Sequence, residues 1–84
     1  GEIDLVAEKG SYVVFVEVRS KTNSEFGTPA ESVDARKRGK IQRAAEFYVM
    51  RKNITGRDLR FDVISIEGNG KLEHFESAFD FEST

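Results

Sequence analysis

Apolar positions along the chain fall into four short strand-like runs and one helical one. The first two are Gly1-Glu2-Ile3-Asp4-Leu5-Val6-Ala7 and Val13-Val14-Phe15-Val16-Glu17-Val18-Arg19-Ser20-Lys21. Both are rich in β-branched and aromatic residues and are separated by Glu8-Lys9-Gly10-Ser11, which predicts two antiparallel strands and a tight turn. Alternation places Val13, Phe15, Glu17, Arg19 and Lys21 on one side of the second strand and Val14, Val16 and Val18 on the other. A strand apolar on both faces belongs in the middle of a covered sheet. Lys37, Ile41, Ala44, Ala45 and Tyr48 then recur at helical spacing, so one stripe of a helix faces that sheet. Thr28-Pro29-Ala30-Glu31 has the form of a capping box, and Ser32 offers a second cap. Arg60-Phe61-Asp62-Val63-Ile64-Ser65-Ile66 alternates as a strand, and Gly68-Asn69-Gly70 turns it into Lys71-Leu72-Glu73-His74-Phe75. The order hairpin, crossover helix, second hairpin predicts one α/β domain over residues 1–84, with a mixed sheet in which the Arg60 strand runs parallel to the Glu17 strand.

Acidic groups inside the first two runs are the chemically informative feature. Residues opposite each other across an antiparallel pair share a face, so the turn decides whether Asp4 meets Glu17. A two-residue turn at Lys9-Gly10 puts Glu2 opposite Glu17 and Asp4 diagonal to it, about 7 to 8 Å away. A four-residue turn, pairing Glu8 with Val13, puts Asp4 directly opposite at about 5 Å. Either even register gathers the two carboxylates; a three-residue turn without a bulge separates them. Together they would repel, which implies a positive species between them. With no cysteine and a single histidine, His74, the donors suit a hard cation such as Mg²⁺ or Mn²⁺ in preference to zinc. Beside Arg19 or Lys21 such an ion makes the kind of site that hydrolyses phosphodiesters.

Taken in order, Gly1-Glu2-Ile3-Asp4-Leu5, Phe15-Val16-Glu17-Val18-Arg19, Phe26-Gly27-x-Pro29, Lys37 with Ile41-x-x-Ala44-Ala45-x-x-Tyr48, Arg60-Phe61-Asp62-Val63, and His74 with Ala78-Phe79 resemble the YraN-like family of bacterial proteins. That family is similar to the PD-(D/E)xK nucleases of restriction-endonuclease-like fold and is related to Holliday-junction resolvases. The resemblance implies a metal-dependent endonuclease acting on DNA, branched or single-stranded, with Asp4 and Glu17 as metal ligands, Arg19 and Lys21 as catalytic cations, and a cytoplasmic setting. Family members carry Lys at the position of Arg19 and Arg near that of Lys21, so the two cations are exchanged here. Arg stabilises charge but cannot be deprotonated, whereas Lys can also orient a water. The resemblance also implies a helix and a strand before the Gly-Glu-Ile-Asp segment. The chain is therefore expected to be a shortened form and, by itself, a poor nuclease. Loss of an initial strand would leave an open edge beside Glu2 to Ala7, where two copies are expected to pair as a homodimer.

Charge distribution adds to this picture. The net charge is −2, yet Arg36, Lys37, Arg38, Lys40 and Arg43 stand against one acid between Asp34 and Arg43. Local basic density is what meets phosphate in a screened solution. Lys37, Lys40 and Arg43 are the expected nucleic-acid contacts, with Lys37 on the inward stripe. The bland alternatives are a Lys stem covering apolar surface and a solvated basic face. Glu2 is a third candidate ligand or an exposed strand-end charge; Arg60 and Asp62 are expected to form a structural ion pair; His74 belongs to an edge strand. Gln42 reads as a surface amide, and Phe26-Gly27 as a loop beside the site. No apolar run reaches transmembrane length, and no signal-peptide pattern is present. Two further readings stand beside the enzyme: a non-catalytic nucleic-acid-binding module of nuclease-like fold, supported by Arg19, and a structural or protein-interaction domain, supported by the acidic end from Glu67 onward.

Overall fold

The computed structural model describes residues 3–21 and 33–80, apart from the side chain of Lys21. Four strands and a helix follow in the order β1 (Leu5–Lys9), β2 (Tyr12–Lys21), α1 (Ala35–Arg51), β3 (Asp58–Glu67) and β4 (Leu72–Phe79). They form a mixed α/β unit whose single described sheet has the spatial order β1-β2-β3-β4. β1 and β2 are antiparallel, β2 and β3 parallel, β3 and β4 antiparallel. The helix lies in the connection between the parallel pair, as parallel pairing requires a long crossover.

The first hairpin pairs Glu8 with Val13 and Lys9 with Tyr12, leaving Gly10 and Ser11 as the turn. Gly10 has φ 58°, a value that glycine adopts without steric cost. Arg57 fastens this corner from the loop before β3: its guanidinium donates to Glu8 Oε1 at 2.8 Å and to the carbonyls of Gly10 and Tyr12 at 3.0 and 3.1 Å. The second hairpin closes at Gly70, φ 88°, with Glu67 N–H donating to the Lys71 carbonyl at 2.8 Å.

β2 is central, and both its faces are covered. Val13 and Phe15 look into the core beneath α1, while Val14 and Val16 are buried on the opposite face. The core is a row of rings and branched side chains, with Phe15, Phe61 and Phe79 in sequence across the sheet at centroid separations of 5.7 and 5.0 Å. Ile41 and Ala45 of α1 close over it, and Tyr48 meets Phe15 edge to face at 5.8 Å. Each fully buried large side chain of this kind contributes about 1.5 to 3 kcal/mol of transfer free energy.

Two local expectations are corrected. α1 starts at Ala35 and is capped by Asp34, whose carboxylate accepts the Lys37 N–H at 2.9 Å and so satisfies an orphan donor of the first turn. Thr28 to Ser32, Phe26-Gly27 and Glu2 lie outside the described residues. β1 begins at Leu5, one residue after Asp4, so it is shorter than the apolar run suggests. β4 continues past Phe75 to Phe79 through an irregularity, because Phe61 pairs with Phe79 while Val63 pairs with Phe75.

That irregularity has a cause. Ser77 sits at φ 51°, unusual for a residue with a side chain, and its N–H donates to Asp62 Oδ1 at 3.0 Å. Asp62 is wholly buried; it takes both arms of the Arg60 fork at 2.9 and 2.8 Å and lies 2.7 Å from His74 Nε2. The expected Arg60 and Asp62 ion pair is therefore present, and it also anchors the extra residues of β4. Burial pushes the Asp62 carboxyl up, but the Arg60 fork, the Ser77 N–H and His74 together outweigh it and hold it below its usual range.

Candidate active site

Continuing the β1–β2 register by one residue puts Asp4 directly opposite Glu17, the closer of the two even registers. Asp4 stands just ahead of β1, where the ladder has not begun. Its Oδ2 accepts the Val18 N–H at 2.8 Å, in place of a main-chain acceptor from β1. That bond is the main reason its carboxyl lies below the usual value; burial opposes it, while Glu17 and Lys37 act in the same direction.

Glu17 is buried, at 7% of its full exposure, on the core face between Phe15 and Arg19. Burial is the first cause that raises its carboxyl above the usual value, and Asp4 adds to it both as a hydrogen-bond partner and as a like charge. Lys37 and Arg19 pull the other way without cancelling the shift. The two carboxyls are thus pushed apart in acidity, with Asp4 the ionised member and Glu17 the one that retains a proton longer. Glu17 Oε2 is buried with no hydrogen-bond partner among the described residues; Lys37 Nζ stands 3.8 Å away, an ionic contact and not a hydrogen bond. A buried orphan oxygen of this kind is costly unless something occupies it.

Lys37 reaches this point because Asp34 fixes where the helix starts. The capped residue is Lys37 itself, whose stem then runs along the first turn toward β2. Of the residues singled out from sequence, Asp4, Glu17 and Lys37 are brought together, and Arg19 lies on the same strand face within electrostatic reach of Glu17. Lys21 is the last residue of β2, and its side chain lies outside the described residues. Lys40 and Arg43 are not at the carboxylates; they line shallow depressions further along α1. Arg60, Asp62 and His74 are elsewhere: Asp62 pairs with Val16, so it projects from the sheet face opposite Glu17. Sequence reasoning missed Asp34, whose signal was an acid immediately before the helical period. It also missed Phe47, an exposed aromatic beside Arg43 and Arg51.

Among the described residues, no three His, Cys, Asp or Glu side chains come together in a way that could hold a metal ion. Two carboxylates, one with an orphan oxygen, still fit magnesium or manganese, which keep several waters and take only one or two protein carboxylates. They do not fit zinc, since neither thiolate nor imidazole is near.

A mixed α/β sheet carrying a carboxylate pair and a lysine at the junction of its first hairpin and crossover helix defines the structural class. Comparison with known proteins gives the family. Residues 1–66 match the model of the uncharacterised protein family UPF0102, and the chain belongs to that family, the YraN-like one. A UPF0102 protein of Persephonella marina is 45% identical over 82 residues, covering 98% of this chain and 70% of that protein. One from Moorella thermoacetica is 48% identical over 66 residues, 79% of this chain and 55% of the relative. One from Ectopseudomonas mendocina is 48% identical over 83 residues, 95% of this chain and 70% of the relative. No helix among the described residues is long and apolar enough to cross a membrane.

Proposed function

We propose that the chain is the core of a restriction-endonuclease-like domain that hydrolyses DNA phosphodiester bonds, on branched or single-stranded substrates in the cytoplasm, with Mg²⁺ or Mn²⁺ held by Asp4 and Glu17. The observation that carries this reading is the meeting of those two carboxylates on one face, with Glu17 Oε2 buried and without a hydrogen bond and Lys37 Nζ 3.8 Å away. The ion, when bound, would supply Lewis acidity and a more acidic bound water.

The remaining work falls to the chain. Asp4, held ionised by the Val18 N–H, is a fixed anionic ligand. Glu17, its carboxyl raised by burial and by Asp4, keeps its proton longer than an ordinary glutamate, so it couples ion uptake to proton release. Lys37 sits where its ammonium meets either Glu17 or a phosphate oxygen, and in the latter role it stabilises charge that grows on the phosphoryl group. Arg19, a permanent cation on the same strand face, orients the phosphate rather than activating water. In hydrolysis a water oxygen bonds to phosphorus, one ester P–O bond breaks, and the departing oxygen takes up a proton.

A non-catalytic binding role is supported by one observation, Arg19 at the position where a lysine would be able to orient a water. Cleavage of branched and single-stranded DNA with Mg²⁺ or Mn²⁺ decides between the two. The nuclease reading expects cleavage that disappears in Glu17→Ala and increases in Arg19→Lys. Binding without cleavage, in this chain and in its longer relatives alike, would refute it.

A further inference from the structure

The outward side of α1 carries three shallow depressions that run into one another. The first, about 310 Å³, is lined by Asp34, Arg36, Lys37 and Lys40. The second, about 420 Å³, shares Lys40 and adds Arg43, Ala44 and Phe47. The third, about 300 Å³, shares Ala44 and Phe47 and reaches Ile3 and Val6 of the first hairpin, with Tyr48 and Arg51 on the helix side. The result is a trough along the helix that begins at Lys37, beside Glu17, and ends near Lys52. At 1.5 Å rise per residue the distance from Arg36 to Arg51 is about 22 Å.

Its lining changes character along the way. Arg36, Lys37, Lys40, Arg43, Arg51 and Lys52 face a single acid, Asp34, whose carboxylate is engaged in capping the helix. Phe47 stands between the basic stretch and the apolar one. It is 55% exposed, and the Arg51 guanidinium lies 5.6 Å from its ring centroid. Phe47 is not part of the packed core, to which α1 contributes Ile41, Ala45, Tyr48 and Val49.

We propose that this trough is a track for single-stranded nucleic acid, in which Lys37, Lys40 and Arg43 meet backbone phosphates and Phe47 stacks an unpaired base. The inference rests on the nuclease-like reading only for its direction, in that the track leads to Asp4 and Glu17. Charge complementarity selects a polyanion, and the ring selects one with free π-faces, which a duplex hides within its stack. An acidic peptide would satisfy the cations but leave Phe47 without a stacking partner.

The test is binding without divalent metal, so that no cleavage enters. A short single-stranded deoxyoligonucleotide containing 2-aminopurine serves as the probe, beside the same sequence as a duplex. The chain has no tryptophan, so the probe's fluorescence is read cleanly. Wild type is expected to prefer the single strand and to quench 2-aminopurine. Phe47→Ala should weaken that binding about tenfold or more and abolish quenching, with duplex binding unchanged. Phe47→Trp should retain both signals, and Phe47→Leu neither, because the ring and not the apolar volume is required. Circular dichroism checks that each variant keeps its helix. A Leu variant that binds like wild type, equal affinity for duplex, or displacement by polyglutamate as readily as by the oligonucleotide would overturn the proposal. A protein that quenches the probe but never cuts DNA would refute the nuclease reading alone; one that cuts with Phe47→Ala unimpaired in binding would refute this one alone.

Discussion

Replacing Asp62 by Ala should be the most damaging single change on the sheet face away from the helix. The carboxylate is fully buried, and four donors converge on it: Nε and Nη2 of Arg60, the Ser77 N–H and His74 Nε2. Removing one partner of a buried pair leaves the other uncompensated, at a cost of about 3 to 5 kcal/mol. Arg60 softens this because it retains a Glu76 carboxylate at 3.8 Å and the Tyr12 ring at 5.5 Å, so the lower end, about 3 kcal/mol, is expected. Against a total of roughly 4 to 13 kcal/mol for a domain this size, that is a large fraction. Urea unfolding followed by circular dichroism, with the slope unchanged, measures it directly. The midpoint temperature should fall by roughly 12 to 24 °C. His74→Ala should cost far less, about 1 kcal/mol, since that ring is 42% exposed and supplies one contact of the four. A loss below about 1 kcal/mol in Asp62→Ala would refute the claim that this carboxylate holds the β3–β4 irregularity in place.

Two further predictions concern acidity and the helix start. Glu17 is raised above its usual value, so it favours the folded state while protonated, and that contribution is lost as pH rises through the raised value. Glu17→Gln should therefore gain stability relative to wild type as pH rises from the usual glutamate value through the raised one, and a difference that is flat or shrinks over that rise would contradict the assignment. Asp4, lowered, acts in the opposite sense, its contribution being present above the usual Asp value and lost as pH falls through the lower one. Asp34→Ala should cost about 1 kcal/mol by urea denaturation through loss of the cap, and Asp34→Ser should restore most of it. Equal stability of all three proteins would mean the cap contributes nothing.

Much of the architecture was legible because strand periods and turn residues act locally. Val13 to Val18, apolar on both faces, demanded a central strand, and the length between Lys21 and Arg60 demanded a crossover to a parallel partner. The register was not legible. Its choice depends on Gly10-Ser11 forming the turn, and on the Arg57 contacts with Glu8, Gly10 and Tyr12, which are distant in sequence. The continuation of β4 was hidden for the same reason: Asp62 must be in place before Ser77 can adopt a positive φ, so nothing local announces it. At the candidate site, parity alone brought Asp4 and Glu17 together. The depth of Glu17, the orphan state of its Oε2 and the approach of Lys37 arise only when α1 packs on the sheet. Phe47 looked like one more helix residue until the sheet showed which side of α1 it occupies.

The central claim, that Asp4 and Glu17 form a divalent-cation site, is tested most directly by titrating Mn²⁺ into the isotopically labelled protein. Paramagnetic broadening of the two side-chain carboxyl resonances is the readout, at a pH below and a pH above the raised Glu17 value. The account predicts broadening confined to Asp4, Glu17 and their strand neighbours, stronger at the higher pH because the ion must displace the Glu17 proton, and absent in Asp4→Ala with the fold intact. Broadening centred elsewhere on the surface, or unchanged in Asp4→Ala, would contradict it.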